Sequence, residues 1–165
     1  MNATLDQTLL DQMTEAALRG GAIALDYFRP GAKTSARIDS KEGGSPVTEA
    51  DHAVDAFLAV ELMRALPQAG WLSEETVDNP ARLACDLAFI VDPIDGTRAF
   101  MTGDARWRSA SRWWSGGCPS RGSCICPPWA RPMSPIGAAG LFATGSGSRS
   151  PRAPASRAAS SQARL

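Results

Sequence analysis

A strand that ends in an acidic turn constrains this chain more than any other feature. The all-apolar run Leu87–Val91 predicts a strand buried on both faces. Two carboxylates follow it three positions apart, Asp92 and Asp95, and Pro93 interrupts the chain between them. Gly96 then predicts a tight turn, after which a helix can begin. The chain therefore brings two acidic side chains together at the end of a buried strand.

This acidic turn offers the oxygen ligands that a hard cation takes. Mg²⁺ binds carboxylates, water and substrate phosphate in octahedral array. Asp92, Asp95 and the backbone carbonyl of Ile94 are suitable donors, and Glu74 and Glu75 provide a second acidic pair upstream. Because Asp beside Pro and Gly is also common turn chemistry, the complete string carries the prediction rather than any single acid.

Two blocks of sequence occur together in a specific order. The first is Glu74-Glu75 followed by Asp92–Thr97 and Phe100, and the second is Lys41 followed by Ser45–Asp51. Together they resemble the inositol monophosphatase superfamily of Mg²⁺-dependent, lithium-sensitive phosphatases. The resemblance implies the α/β class, as the N-terminal half of a layered α-β-α-β-α sandwich. It covers residues 1–105, which it implies are the metal-binding half of a phosphatase domain.

The resemblance also implies roles for individual residues. The implied metal ligands are Glu74, Asp92, Ile94 through its carbonyl, and Asp95. The implied catalytic residues, which orient and activate the attacking water, are Glu74 and Thr97. The implied substrate-binding residues are Asp95, Gly96 and Thr97, whose N–H groups at a helix start would hold the phosphate. Lys41 and Asp51 are implied in secondary roles, and Glu75 is expected to be solvated or to support the ligands indirectly.

The implied activity is Mg²⁺-dependent hydrolysis of a small phosphate monoester of the inositol monophosphate type. Two metal ions can activate water and stabilise the attacking and departing oxygens. A 3′(2′),5′-bisphosphate nucleotidase and a histidinol phosphatase are alternatives, and a non-catalytic fragment is an alternative of another class. The expected partner is a small phosphorylated substrate, with no nucleic acid and no membrane, and the intact family is often dimeric.

Helical and strand periods predict the elements around the acidic turn. Apolar residues recur at helical spacing over residues 3–28, and a second helix is expected from Thr48 to about Leu66. Thr48 and Asp51 suit the start of that helix, where each is expected to act as a cap. Ala69–Ser73 predicts a strand edge. The acids near the N-terminus and the lack of a long apolar run predict a cytoplasmic protein without a signal peptide or membrane span.

Charge divides the chain into two unlike parts. Residues 1–105 contain all seventeen acids and eight Lys or Arg, a net charge of −9, whereas residues 106–165 contain nine Arg and no acid, a net charge of +9. The second part is rich in Arg, Ser, Pro and Gly and shows no sustained apolar period. It is expected to be disordered and not natively folded. An Arg-rich arm for nucleic acid is the weaker interpretation.

Translation in a shifted reading frame explains the composition of residues 106–165 better than an Arg-rich arm for nucleic acid does. Trp has one codon, so Trp113-Trp114 force a Val codon in one alternative frame. In that frame Arg108–Gly116 can be recoded as Ile-Ser-Val-Ala-Leu-Val-Val-Gly, a buried-strand sequence, and Gly122–Ser134 recodes sensibly as well. The hypothesis is a frameshift near residues 106–108. No acid follows Asp104, so the carboxylate that completes the metal site in the family is missing, and little or no activity is expected.

Overall fold

The computed structural model describes residues 3–115 and 118–125, with the side chains of residues 7–114. The helices are α1 (Ala3–Tyr27), α2 (Glu49–Ala65) and α3 (Thr97–Thr102), and a 3₁₀ helix spans Pro80–Ala84. The strands are β1 (Ile38–Ser40), β2 (Pro46–Thr48), β3 (Gly70–Ser73), β4 (Leu87–Asp95), β5 (Arg108–Ser115) and β6 (Cys118–Ile125). The predicted α/β class is confirmed.

Four strands form one mixed sheet in the order β3-β4-β5-β6. β3 runs parallel to β4, whereas β5 is antiparallel to both β4 and β6. The strands β1 and β2 form a separate antiparallel hairpin just before α2. Because β3 and β4 are parallel, their carboxyl ends meet at one edge of the sheet. The Glu74-Glu75 pair and the acidic turn therefore lie side by side.

The core lies between the sheet and the two long helices. α1 packs against α2 and against β5 and β6, while α2 packs against β4. Phe89 on β4 and Leu58 on α2 are both fully buried in this core. Burying one such side chain contributes about 1.5–3 kcal/mol. This layer holds β4, and hence the acidic turn at its end, in a fixed position.

The prediction that Leu87–Val91 is buried on both faces is wrong. Burial alternates along β4, because Phe89 is fully buried whereas 36% of Ile90 is exposed. Within the described residues the long helices pack on the Phe89 face, and Ala88 on the other face is half-buried. An apolar run alone does not distinguish burial on one face from burial on both faces. Ile90 is an apolar residue and is still 36% exposed.

The ordered sheet continues past residue 105, the boundary expected from composition. Trp107 is buried against Phe28 and Phe100, with ring centroids 5.4 and 5.0 Å away. Such aromatic contacts add to the free energy of burial. Trp113 in β5 is also buried. The expectation of disorder in the rest of the second part falls mainly on residues 126–165, which lie outside the described residues.

The sequence of β5 lacks the alternation of apolar and polar residues that predicts a strand, because its inward face is largely polar. Ser109, Ser111 and Trp113 are buried, whereas the alternate positions Arg112 and Trp114 are exposed. The strand therefore alternates in burial without alternating in hydropathy. The Ser111 hydroxyl and the Trp113 indole N–H are buried with no hydrogen-bond partner in the described part of the chain. Such groups cost about 1–3 kcal/mol each.

Over the described residues, no helix has both the length and the apolar character that a membrane span requires.

Candidate functional site

The start of α2 contributes a buried carboxylate to the site. Thr48 caps the helix, and its hydroxyl accepts from the Asp51 N–H at 3.4 Å. One carboxylate oxygen of Asp51 accepts from the Thr48 N–H at 2.8 Å and from the Thr48 hydroxyl at 2.6 Å. The predicted capping roles are confirmed. Burial raises the pKa of Asp51, although the hydrogen bonds from Thr48 offset part of this effect.

The second carboxylate oxygen of Asp51 faces the acidic turn. It lies 3.3 Å from the hydroxyl of Thr97, which also lies 3.1 Å from the carbonyl oxygen of Ile94. A hydroxyl has a single proton, so Thr97 donates to one of these acceptors at a time. Asp51 is fully buried and Thr97 is partly exposed. Thr97 therefore connects a predicted metal ligand, the Ile94 carbonyl, with a buried acid.

Gly96 makes the sharp entry into α3 possible. Its φ of +95° lies in the left-handed region, which glycine adopts without the steric cost that a Cβ imposes. A Cβ at this position would also lie 2.9 Å from the carbonyl oxygen of Arg106. The turn therefore requires glycine both for its backbone conformation and for its close approach to the neighbouring chain.

Glu74 and Glu75 meet Lys41 at the end of β3. The Glu74 N–H donates to the Val91 carbonyl at 3.2 Å, which fixes the pair beside β4. The Lys41 ammonium lies 3.0 Å from Glu74 Oε1 and 2.9 Å from Glu75 Oε1. It also donates to the Glu74 carbonyl at 3.3 Å. Burial lowers the pKa of Lys41, but hydrogen bonds to Glu75 and Glu74 outweigh it, so the pKa is raised.

Glu75 is the more buried member of the pair. Only 3% of its side chain is exposed, compared with 55% for Glu74. The solvated alternative for Glu75 is therefore wrong, while its supporting role stays a prediction. Burial raises its pKa, and the ion pair with Lys41 opposes that shift. The Oε2 atom of Glu75 is buried without a hydrogen-bond partner in the described ranges.

Asp55 is a member of this region that the sequence argument missed. The Ser73 hydroxyl donates to Asp55 and accepts from the Glu75 N–H at 3.1 Å. Asp55 is buried on α2, four residues after Asp51 and thus on the same helix face. That spacing of two acids on a buried face was the available signal. Through Ser73, Asp55 fixes the backbone that carries Glu75.

Asp92 has the most perturbed acidity of the site. Burial raises its pKa to about 7, and the negative charges of Glu74 and Asp95 add to the shift. A hydrogen bond to Glu74 favours the protonated form as well. Asp92 is therefore protonated far more readily than a solvated aspartate. The carboxylates are crowded enough to oppose each other's ionisation.

Asp95 forms an ion pair that was not predicted from the sequence. Its carboxylate binds the guanidinium of Arg108, the residue opposite Asp95 in the β4–β5 register. About half of each side chain is exposed, with 56% for Arg108 and 40% for Asp95. Because this pair depends on strand register across the turn, no local pattern indicates it.

His52 was expected on a helix surface, and it is exposed on α2.

The described residues do not form a closed metal site. In these ranges, no group of three or more Asp, Glu, His or Cys side chains has an arrangement that holds one ion. The donors are nevertheless of the kind that Mg²⁺ takes, since all are carboxylate or carbonyl oxygens. The mutual repulsion at Asp92 and the unpartnered oxygen of Glu75 are features that a divalent cation would relieve. The donor chemistry therefore fits Mg²⁺, although the carboxylates would have to draw together around it.

Two proteins of known name are similar to this chain in sequence. The chain is 36% identical over 139 residues to the histidinol-phosphatase of Mycobacterium tuberculosis, covering 84% of this chain and 52% of that protein. It is 31% identical over 100 residues to the 3′(2′),5′-bisphosphate nucleotidase CysQ of Haemophilus influenzae, covering 59% of this chain and 36% of that protein. The chain thus spans about half or less of the length of these relatives.

A solved structure has the same architecture. The extragenic suppressor protein suhB of Bartonella henselae matches with a TM-score of 0.61 and 27% sequence identity. The match covers 73% of this chain and 44% of that chain. The family model described as "Inositol monophosphatase family" matches residues 5–115, which contain every predicted site residue. This chain therefore belongs to the inositol monophosphatase family.

Proposed function

We propose that this chain carries the N-terminal half of a site that hydrolyses a small phosphate monoester with the help of Mg²⁺. The observation that carries the proposal is the crowding of Asp92, whose pKa is raised to about 7 by burial and by Glu74 and Asp95. Strongly perturbed pKa values cluster at functional sites, and a bound cation would relieve the repulsion between these acids. The family is known to use metal ions.

The proposed metal-binding residues are Glu74, Asp92, Ile94 through its carbonyl, and Asp95. When bound, Mg²⁺ would supply activation of water and neutralisation of charge on the phosphoryl oxygens. Glu74 is suited to this position because more than half of its side chain is exposed. Glu75 would support it from inside, held by Ser73 and Asp55.

The proposed role of Thr97 is to orient the attacking water together with Glu74. The contact with Asp51 supports this role, because a hydroxyl that donates to a buried carboxylate keeps its lone pairs for the proton of a water molecule. Asp51 would then act as a positioning residue behind Thr97. The proposed phosphate contacts are Asp95, Gly96 and the N–H groups at the start of α3.

Inositol monophosphate is the first substrate to test, and histidinol phosphate is the second candidate. The second is favoured by the relative from M. tuberculosis, whose similarity covers most of this chain. A bisphosphorylated nucleotide is the third, on the basis of CysQ. All three carry a phosphate monoester, so the proposed chemistry of the site is the same for each.

We also infer that the reading frame changes between Trp107 and β5. The packing of Trp107 against Phe28 and Phe100 supports an unchanged frame up to that residue. With one choice of codons, the buried positions 109, 111 and 113 can become Ile, Val and Leu in the alternative frame. These residues would replace the polar inward face of β5, including the unpartnered Ser111 hydroxyl. On this account residues 1–105 form the metal-binding half, and the segment after the frame change does not complete the site.

One experiment tests the function and the frame together. The gene is sequenced, and a chain with the frame restored after codon 107 is compared with the 165-residue chain in phosphate release on the three substrates. We expect Mg²⁺-dependent release by the restored chain and little or none by the 165-residue chain. Release by the 165-residue chain at an equal rate would contradict the inferred frame change. Absence of Mg²⁺-dependent release by a folded restored chain would contradict the proposed function.

A further inference from the structure

Two cationic side chains of the protein itself occupy the carboxylates of the site. Lys41 contacts Glu74 at 3.0 Å and Glu75 at 2.9 Å, and Arg108 is paired with Asp95. Two of the three carboxylates proposed as metal ligands are thus neutralised by basic side chains.

Lys41 lies on a loop that can carry it away from the acids. The loop joins β1 to β2, and it is closed by two hydrogen bonds between Lys41 and the segment that ends at Ser45. Gly43 and Gly44 form its exposed tip, with φ of +96° and +82°. Neither glycine has a side chain to anchor the tip in the core, so movement of the loop would leave the four-stranded sheet intact.

Arg108 reaches Asp95 from the first residue of β5. The strand register fixes its backbone opposite Asp95, but 56% of its side chain is exposed. A pair with this exposure is weakened by solvent, so its contribution is about 0–1 kcal/mol. An ion that offers the Asp95 carboxylate a stronger bond can therefore replace this contact.

We propose that, in the 165-residue chain, Lys41 and Arg108 are counter-ions that compete with the divalent cation, Lys41 at Glu74 and Arg108 at Asp95; of the two, only Lys41 precedes the inferred frame change. A carboxylate oxygen that accepts from an ammonium group is a poorer ligand, and a bound cation repels the ammonium group beside it. Binding of the metal would then be coupled to withdrawal of Lys41 and Arg108. The same two contacts hold the acidic cluster together when no metal is bound. This inference rests on the proposed function, since it assumes that the cluster binds Mg²⁺.

Calorimetric titration of the 165-residue chain with Mg²⁺ tests the inference. The variants are Lys41→Met, Lys41→Gln, Arg108→Gln and the double variant Lys41→Met/Arg108→Gln. The matched control is Arg37→Gln, which removes the same unit of charge from an exposed pair with Asp39. We expect the Kd for Mg²⁺ to fall about two- to fivefold in each single variant and further in the double variant. The control should keep the Kd of the parent chain.

Thermal unfolding gives a second readout that does not depend on activity. Without Mg²⁺, the Lys41 variants should have a lower Tm than the control, and saturating Mg²⁺ should raise their Tm by more than it raises that of the parent chain. If the variants bind Mg²⁺ with an unchanged or higher Kd, the counter-ion proposal is overturned while metal binding stands. If neither the parent nor any variant binds Mg²⁺, both proposals are overturned. Because two Lys41 substitutions are used, misfolding of one leaves the other as the test.

Discussion

The hydroxyl of Thr97 lies 3.3 Å from the carboxylate of Asp51, which is completely buried at the start of α2. Asp51 therefore has two structural roles. One oxygen contacts Thr97, and the other accepts hydrogen bonds from Thr48 in the cap of α2. The folding of α2 and the position of Thr97 beside the acidic turn consequently depend on one side chain. Both can be probed by substitution.

Substitution of Asp51 should destabilise the protein through the cap. Asp51→Ala leaves the N–H of Thr48 without its acceptor in a buried position, so we expect a loss of about 1–3 kcal/mol in the free energy of unfolding. Chemical denaturation measures it. Glu49→Ala, on the exposed side of the same turn, is the control. Equal stabilities of the two variants would show that the cap contributes nothing.

The metal-free protein should become less stable as the pH rises from about 4 to about 7. The pKa of Asp92 is raised to about 7 in the folded chain, whereas an unfolded Asp has a pKa of about 3.9. Between these values the folded state binds more protons than the unfolded state, so its stability falls with increasing pH.

Asp92→Asn should remove part of this pH dependence. The other raised carboxyl groups, including Asp51 and Glu75, contribute in the same direction and remain in the variant. The relevant quantity is therefore the difference in free energy of unfolding between variant and parent, measured in EDTA at several pH values. That difference should grow in favour of the variant up to about pH 7. A difference independent of pH would contradict the raised pKa of Asp92.

Two tryptophans, Trp107 and Trp114, should differ sharply in what they contribute to the free energy of unfolding. Trp107 is 4% exposed and packs against Phe28 and Phe100, whereas Trp114 is 40% exposed. Trp107→Ala should cost about 3–5 kcal/mol of stability, and Trp114→Ala should cost much less. Urea denaturation of both variants gives the comparison. Similar losses would mean that Trp107 does not belong to the core.

Removal of one hydroxyl from β5 should stabilise the chain. The Ser111 hydroxyl is buried without a partner in the described ranges, so Ser111→Ala removes an unsatisfied group and we expect a gain of about 1 kcal/mol. Ser111→Val, the residue that one recoding gives at this position, should add the burial of further apolar surface. Ser45→Ala on the exposed hairpin loop serves as control. A loss of stability in both Ser111 variants would contradict the claim that the buried Ser111 hydroxyl destabilises the chain.

Local chemistry made part of this fold predictable. The capping of α2 by Thr48 follows from residues three positions apart, and β4 with its acidic turn follows from an apolar run that ends at Pro, Asp and Gly. Contacts between segments that are distant in the sequence could not be predicted from it. The backbone position of Glu75 depends on Ser73 and Asp55, which meet only in the folded chain, through a hydrogen bond between β3 and α2.

The strand β5 and its ion pair illustrate the same limit. Its inward face carries serine, so no hydropathy period marks it, and backbone pairing with β4 defines it instead. Arg108 meets Asp95 through that register. The sequence therefore indicated the acids of the acidic turn and Lys41, but not Arg108 or the ion pairs that these two basic residues form.

The central claim is that the acidic turn binds Mg²⁺, and calorimetric titration of two matched variants tests it most directly. Asp92→Asn and Asp86→Asn each remove one negative charge, but Asp86 is exposed before β4 and outside the cluster. We predict that Asp86→Asn binds Mg²⁺ like the parent chain and that Asp92→Asn loses at least about tenfold in affinity, since a carboxylate ligand is replaced by a neutral amide. Equal binding by the two variants, or no binding by the parent chain, would contradict the account.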